Sequence, residues 1–270
     1  MPSSSVLRVS EDGVLLQSVS LSGVTGIRVY GNDGNDSIDF SGNSIYGYPA
    51  MTLNGGSGND SIVGGIGNDV IQGLGGNDYI EDRAGNDVVD AGVGDDHLIG
   101  SNSGSDTLYG GEEASDWDSI TFDASNVSIS LDNLANDVDG GLGGTNNIRA
   151  EFELITGSIF ADSIVGSDFD EDIRSRDGSD TLKGLGGDDL LDGGSSSDRL
   201  WGGNGNDVLM LDNSGFNDPG TDTAYGEAGN DEFWYAEDGI SDTVDGGGGT
   251  DIYYGQIESV DTRLSIELFG

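Results

Sequence analysis

The sequence predicts an all-β chain: a parallel β-roll, that is a right-handed β-helix-like solenoid, in two arrays with capping strands at both ends. Three observations predict it. A nine-residue pattern, Gly-Gly-x-Gly-x-Asp-x-apolar-x, recurs through most of the 270 residues. Most of the 49 glycines recur periodically, at fixed places in that pattern. Each period carries one reliably apolar residue, as period-two alternation requires of a short strand with one face on a core.

Five repeats run without a gap, from Gly55 (GGSGNDSIV), Gly64 (GGIGNDVIQ), Gly73 (GLGGNDYIE), Asp82 (DRAGNDVVD) and Ala91 (AGVGDDHLI). Gly31 to Asp39 is an earlier copy, and Asp106 with Leu108, then Asp118 with Ile120, continue the pattern past insertions. A second array holds the register from Gly157 to Met210, with Asp162, Glu171, Asp180, Asp189, Asp198 and Asp207 in sixth place. It resumes at Asn217, Gly226, Glu237 and Gly246.

Within a repeat, glycines at the first, second and fourth places permit positive φ and let carbonyls crowd inward, so the first six residues turn. The last three form a strand whose middle residue points inward, so Ile62, Ile71, Ile80, Val89 and Leu98 stack as interior columns. Two nonapeptides make one coil, which sets turn n beside turn n+2 and generates two parallel sheets.

The remaining segments read as 1–30, an N-terminal β cap; 31–121, the first array; 122–156, a spacer or widened coils; 157–254, the second array; and 255–270, a C-terminal cap or tail. Val127 to Leu131 reads as a half-buried strand, while Asp137, Asp139 and the glycines after them also suit a ligand-binding loop. The aromatic residues Trp201, Phe233, Trp234, Tyr235, Tyr253 and Tyr254 suit either closure of an open end or a carbohydrate or protein contact.

Composition narrows the partners. Asp and Glu number 51 against 9 Lys and Arg, a net charge of −42, so something cationic should bind. Nucleic acid and anionic membrane are disfavoured, because contacts to phosphates need clustered Lys and Arg. No stretch approaches the roughly 18 apolar residues of a membrane span, and Met1 to Leu7 lacks the regions of a signal peptide, so export would use another route or the chain is a fragment. With no cysteine there are neither disulfides nor thiolate metal sites.

The core of such a roll is two side chains across and buries too little to offset chain entropy unaided. Its sixth-place aspartates would stand in rows about 5 Å apart, where bare carboxylates repel. A divalent cation between turns removes that repulsion. Calcium fits, since it takes 6 to 8 oxygen ligands in irregular geometry, whereas magnesium needs an octahedron and zinc, copper and nickel prefer nitrogen or sulfur.

These residues resemble the RTX (repeats-in-toxin), or hemolysin-type, calcium-binding nonapeptide repeat, whose consensus Gly64 to Gln72 fits at every position. The resemblance implies several Ca2+ ions held between turns n and n+2, type I export and folding outside the cell. It implies carboxylate ligands at Asp36, Asp60, Asp69, Asp78, Asp87, Asp96, Asp106, Asp180, Asp189, Asp198, Asp207, Asp222, Asp231 and Asp251. Carbonyls around Gly55, Gly58, Gly64, Gly67, Gly73, Gly76, Gly85, Gly94, Gly184, Gly187, Gly202 and Gly205 would complete the sites. Asp60 would pair with Asp78, Asp69 with Asp87, Asp78 with Asp96, Asp180 with Asp198, and Asp189 with Asp207. Ser196 in place of a fourth glycine, Glu171 in place of an aspartate and the insertion at Asp118 depart from the pattern.

Fifth-place asparagines (Asn59, Asn68, Asn77, Asn86) resemble those of ice-binding members, but Ser57, Ile66, Gly75 and Ala84 stand where those members place threonine, which favours turn chemistry. Leu264 to Phe269 resembles, weakly, the C-terminal signal of type I substrates, and a last strand fits equally. An enzyme is disfavoured: the single histidine, His97, cannot build a zinc protease site and no Gly-x-Ser-x-Gly elbow occurs. The sequence therefore predicts a calcium-binding structural, adhesive or matrix-forming module of a secreted or cell-surface protein, with a cell-surface, glycan or self-association partner. The alternatives are an export and folding module of a larger secreted enzyme or toxin, and a self-assembling layer or filament subunit.

Overall fold

The computed structural model describes residues 6–11, 14–20, 26–41, 49–101, 103–111, 116–122, 127–131, 138–139, 147–149, 152–211, 220–234, 240–254 and 262–264. The expectations that rest on Asp137, Asn217, Tyr235, Glu237 and the segment 265–269 lie outside these residues. Every regular element among the described residues is a β-strand. The chain divides into two compact units, Met1–Ile120 with Leu142–Phe152, and Thr121–Gly141 with Glu153–Gly270.

In the first unit one parallel sheet runs through Gly26–Asp33, Ala50–Ser57, Val70–Gly75, Val88–Val93, Thr107–Tyr109 and Asn147–Ile148. The other runs through Ser37–Asp39, Ser61–Val63, Tyr79–Glu81, His97–Gly100 and the start of Ser119–Phe122. Consecutive repeats alternate between the sheets, because each turn reverses the strand and two turns complete a coil. Ile38, Ile62, Ile80 and Leu98 are in register on one sheet. Leu53, Ile71, Val89 and Leu108 are in register on the other, and all eight are buried. Insertions are looped out without shifting the columns: Ser37 pairs with Ser61 as Ser61 pairs with Tyr79. Parallel pairing begins at Gly26, which opposes Ala50, while Val6–Glu11 and Val14–Ser20 form an antiparallel pair.

The second unit repeats the plan. One sheet orders Val127–Ser130, Ser163–Val165, Thr181–Gly186, Arg199–Asn204, Thr223–Ala228, Thr243–Asp245 and Thr262–Leu264, with Val138–Asp139 antiparallel beside the first strand. The other contains Leu154–Thr156, Asp172–Arg174, Leu190–Asp192, Val208–Met210, Glu232–Trp234 and Ile252–Tyr254. Core volume is shared within a coil: Ala224 and Phe233 take consecutive eighth places, one on each sheet, and both are fully buried. A small and a large residue thus follow each other in a core only two side chains deep.

The glycine reading is corrected in one respect. Positive φ occurs at the second and fourth places, as at Gly56 (120°) and Gly76 (115°), and the second place also takes Leu74 (81°) and Arg83 (70°). First-place glycines are absent from that set. They are required for proximity instead. A Cβ on Gly73 would collide with Asp78 Oδ2 and with the carbonyl oxygen of Ala91.

The aromatic residues do not act as one group. Phe233 is in the core, whereas Trp201 stacks on Tyr225 (ring centroids 5.5 Å apart) and Trp234 on Tyr254 (4.6 Å) along outer strand positions of successive coils. His97 is half-buried on an outer face, its Nδ1 2.7 Å from Ser119 Oγ.

Candidate metal centre

The sixth-place carboxylates line the turn edges of each unit and tie one coil to the next. On one edge of the first unit Asp60 Oδ1 accepts the backbone N–H of Asp36 at 2.7 Å, Asp78 that of Asp60 at 2.7 Å, Asp96 that of Asp78 at 2.7 Å and Asp118 that of Asp96 at 3.0 Å. On the other edge Asp69 accepts from Met51 at 2.9 Å, Asp87 from Asp69 at 2.7 Å and Asp106 from Asp87 at 2.8 Å.

In the second unit Asp180 accepts from Asp162 at 2.7 Å, Asp198 from Asp180 at 2.8 Å and Asp222 from Asp198 at 2.8 Å. Opposite them Asp189 accepts from Glu171 at 2.9 Å, Asp207 from Asp189 at 2.9 Å, Asp231 from Asp207 at 3.0 Å and Asp251 from Asp231 at 3.1 Å. The five aspartate pairs named from the resemblance are therefore neighbours in these ladders.

Each ladder bond uses one carboxylate oxygen, and in Asp69 the other accepts the N–H of Gly65 at 2.9 Å. The Oδ2 atoms of Asp60, Asp78, Asp87, Asp96, Asp180, Asp189, Asp207, Asp231 and Asp251 are buried and make no hydrogen bond. The corresponding residues are at most 3% exposed, which denies them the water that would solvate a carboxylate. Asp36, at the outer end of its ladder, is only partly buried. Gly55, Gly184 and Gly202 make room for the Oδ2 of their own turns as Gly73 does, whereas Gly64 makes room for the carbonyl of Asp82.

The fourth-place glycines Gly58, Gly76, Gly85, Gly94, Gly187 and Gly205 have positive φ, and Gly67 does not. A Cβ on Gly76 would strike the carbonyl oxygen of Gly58, and one on Gly94 that of Gly76, so carbonyl oxygens file between the coils beside the carboxylates.

A second ladder runs outside the first and in the opposite direction. The N–H of Asn59 donates to Asn35 Oδ1 at 2.9 Å and that of Asn77 to Asn59 Oδ1 at 3.1 Å. In the second unit Asn206 donates to Asp188 and Asn230 to Asn206. Asparagine at fifth place satisfies a turn amide without adding charge next to the sixth-place row.

Burial dominates the titration of that row. It pushes Asp87 up to about 8, with Asp106 and Asp69 adding repulsion and the Asp69 amide offsetting part of it. Asp96, Asp180 and Asp231 rise to about 7, and Asp78 and Asp207 to about 6, again chiefly from burial. Without a cation, neutral pH charges these sites only at the expense of the fold.

Three residues escaped the sequence reading. Ser158 and Ser167, in second place of two turns that lack a fourth glycine, cap the sixth-place carboxylates. The N–H and hydroxyl of Ser158 donate to Asp162, and those of Ser167 to Glu171. The detectable signal was serine four residues ahead of an acid. Asp82 occupies a first place and closes a buried cluster with Asp87 and Asp106, their carboxylate oxygens within 4.8 Å of one another.

The donors fit calcium. They are oxygens alone, buried carboxylates, nine of them with an unbonded Oδ2, and files of carbonyls, and the irregular spacing suits a hard ion that accepts many ligands. Fold and donor set together define a repeat protein whose turns are built around hard cations. The family model of the RTX calcium-binding nonapeptide repeat matches residues 28–44, 52–80, 72–102, 101–114, 175–209, 216–237 and 241–257, more than half of the chain. The chain belongs to that family, and it is a calcium-binding β-roll. A search of curated proteins returned no match.

Proposed function

We propose that the chain is a structural or adhesive module of a secreted or cell-surface protein, one that folds when it meets calcium outside the cell. The observation that carries this reading is the set of buried carboxylates with an unbonded Oδ2, arranged between coils whose apolar core is one residue deep from each sheet. Such a roll is poorly stable while its carboxylates are bare, and the ladders cannot form in part because each residue bonds the next coil.

The proposed ligands are the sixth-place carboxylates of turns n and n+2, as in Asp60 with Asp78 and Asp189 with Asp207, together with carbonyls of the fourth-place file. When bound, calcium supplies positive charge and an oxygen-seeking coordination shell between coils. Two carboxylates per step is a modest charge for a calcium site, which suits dissociation constants of roughly 0.1 to 1 mM, the extracellular range. The repeat residues are committed to turns and core, which supports a structural rather than catalytic role.

Far-UV circular dichroism of the full chain, with millimolar calcium and then with excess chelator, tests the coupling. We expect a β spectrum with calcium and its loss on chelation. A β spectrum that survives chelation at neutral pH overturns the reading.

A further inference from the structure

One turn of the first unit departs from its neighbours. The repeats at Gly55, Gly64 and Gly73 open on glycine, but the next opens on Asp82. At Gly55 and Gly73 the missing Cβ of the first place leaves the space that the sixth-place Oδ2 fills. At Asp82 a side chain stands in the first place, with a carboxylate oxygen within 4.8 Å of oxygens of Asp87 and Asp106.

The residue is 1% exposed, and no well-formed hydrogen bond reaches either of its oxygens. Asp87 Oδ2 is buried and unbonded as well. Arg83, next in sequence, is turned away to Glu81 at 3.5 Å. The gap beside Asp82, lined by Ile80, Val89, Leu98, Ile99 and Leu108, has no room for water.

Three buried carboxylates with oxygens within 4.8 Å of one another, both oxygens of Asp82 and the Oδ2 of Asp87 without a hydrogen bond, demand a cation in low dielectric far more strongly than a pair does. We propose that Asp82, Asp87 and Asp106 form a three-carboxylate calcium site, distinct from the two-carboxylate steps, tighter than they are and the first to fill as calcium rises. Affinity follows because the number of charged ligands sets the dissociation constant of a calcium site. The site gives the first roll a starting point, since one ion there joins two successive coils of one edge.

The proposal rests on the calcium reading and is tested apart from it. Native mass spectrometry and calorimetric calcium titration are run on the full chain, on Asp82→Gly, which restores the repeat's own residue, and on Asp82→Asn, which keeps its size. Circular dichroism at saturating calcium verifies folding of each. We expect both variants to fold and to reach the wild-type stoichiometry, or one ion fewer, with the tightest binding step weakened about tenfold or more. An unchanged tightest step in both variants, with wild type binding normally, overturns this inference alone; a wild-type chain that binds no calcium overturns the calcium reading as well.

Discussion

Asp78 Oδ1 accepts the backbone N–H of Asp60 at 2.7 Å, while the N–H of Asp78 donates to Asp96 Oδ1 at 2.7 Å. One residue therefore serves two steps of the same edge, as an acceptor toward one coil and as a donor toward the next. Its second oxygen is buried and unbonded. The ladder bond and the cation-binding oxygen belong to the same side chain, so the two roles are separable by substitution.

Asp78→Asn keeps an acceptor oxygen and removes the buried charge. We expect it to stabilise the calcium-free chain or leave it unchanged, and to weaken calcium binding at two adjacent steps. Asp78→Ala also strands the Asp60 amide, at a cost of about 1–3 kcal/mol in either condition. Urea unfolding with calcium and with chelator separates them; equal losses for Asn in both conditions would contradict a role in cation binding.

The proximity role of first-place glycine gives a paired test. Gly73→Ala places a methyl group against Asp78 Oδ2 and the backbone carbonyl of Ala91, and the latter cannot yield without moving a coil. A loss of about 1–3 kcal/mol or more is expected. Gly75→Ala meets nothing within 4 Å and should change stability by less than about 0.5 kcal/mol. Thermal melts in calcium read both, and similar effects at the two positions would remove the proximity argument.

Much of this was legible because period maps directly onto place. Eighth-place Ile62, Ile80 and Leu98 fell into one column, and sixth-place Asp60, Asp78 and Asp96 into one ladder, once turn n lay beside turn n+2. What stayed hidden has no local signature. Ser128 pairs with Ser163 and Leu108 with Ile148, across stretches without the repeat, and a strand's sequence does not name its partner. The first-place glycine carries no sign of whether it serves φ or space. Asp82 opens its repeat where Gly55, Gly64 and Gly73 open theirs, and only the packing reveals that its carboxylate lies beside those of Asp87 and Asp106.

The core column offers a third test. Ile71 is fully buried and registers between Leu53 and Val89. Ile71→Ala should cost about 2–5 kcal/mol, because a core two side chains deep has no second layer to collapse into the void. The calcium midpoint for folding should rise with it, since folding and binding are linked. A melt that falls without any shift in the calcium midpoint would argue against that linkage.

Acidity supplies the last prediction. In the unfolded chain these carboxyls titrate near 3.9, while burial in the fold raises Asp87 to about 8, Asp96 and Asp180 to about 7 and Asp78 to about 6. Between those limits the folded chain binds more protons than the unfolded one, so unfolding free energy falls as pH rises. The calcium-free roll should thus be most stable near pH 4 and lose stability progressively up to about pH 8. Calcium reverses the slope of apparent affinity: protons and calcium compete for the same oxygens, so the calcium midpoint should fall as pH rises from 6 to 8. Circular dichroism at pH 4, 6 and 8, in chelator and in calcium, reads both trends. A calcium-free stability that is flat or rising across that range would mean that the sixth-place carboxylates are hydrated in the folded chain rather than buried.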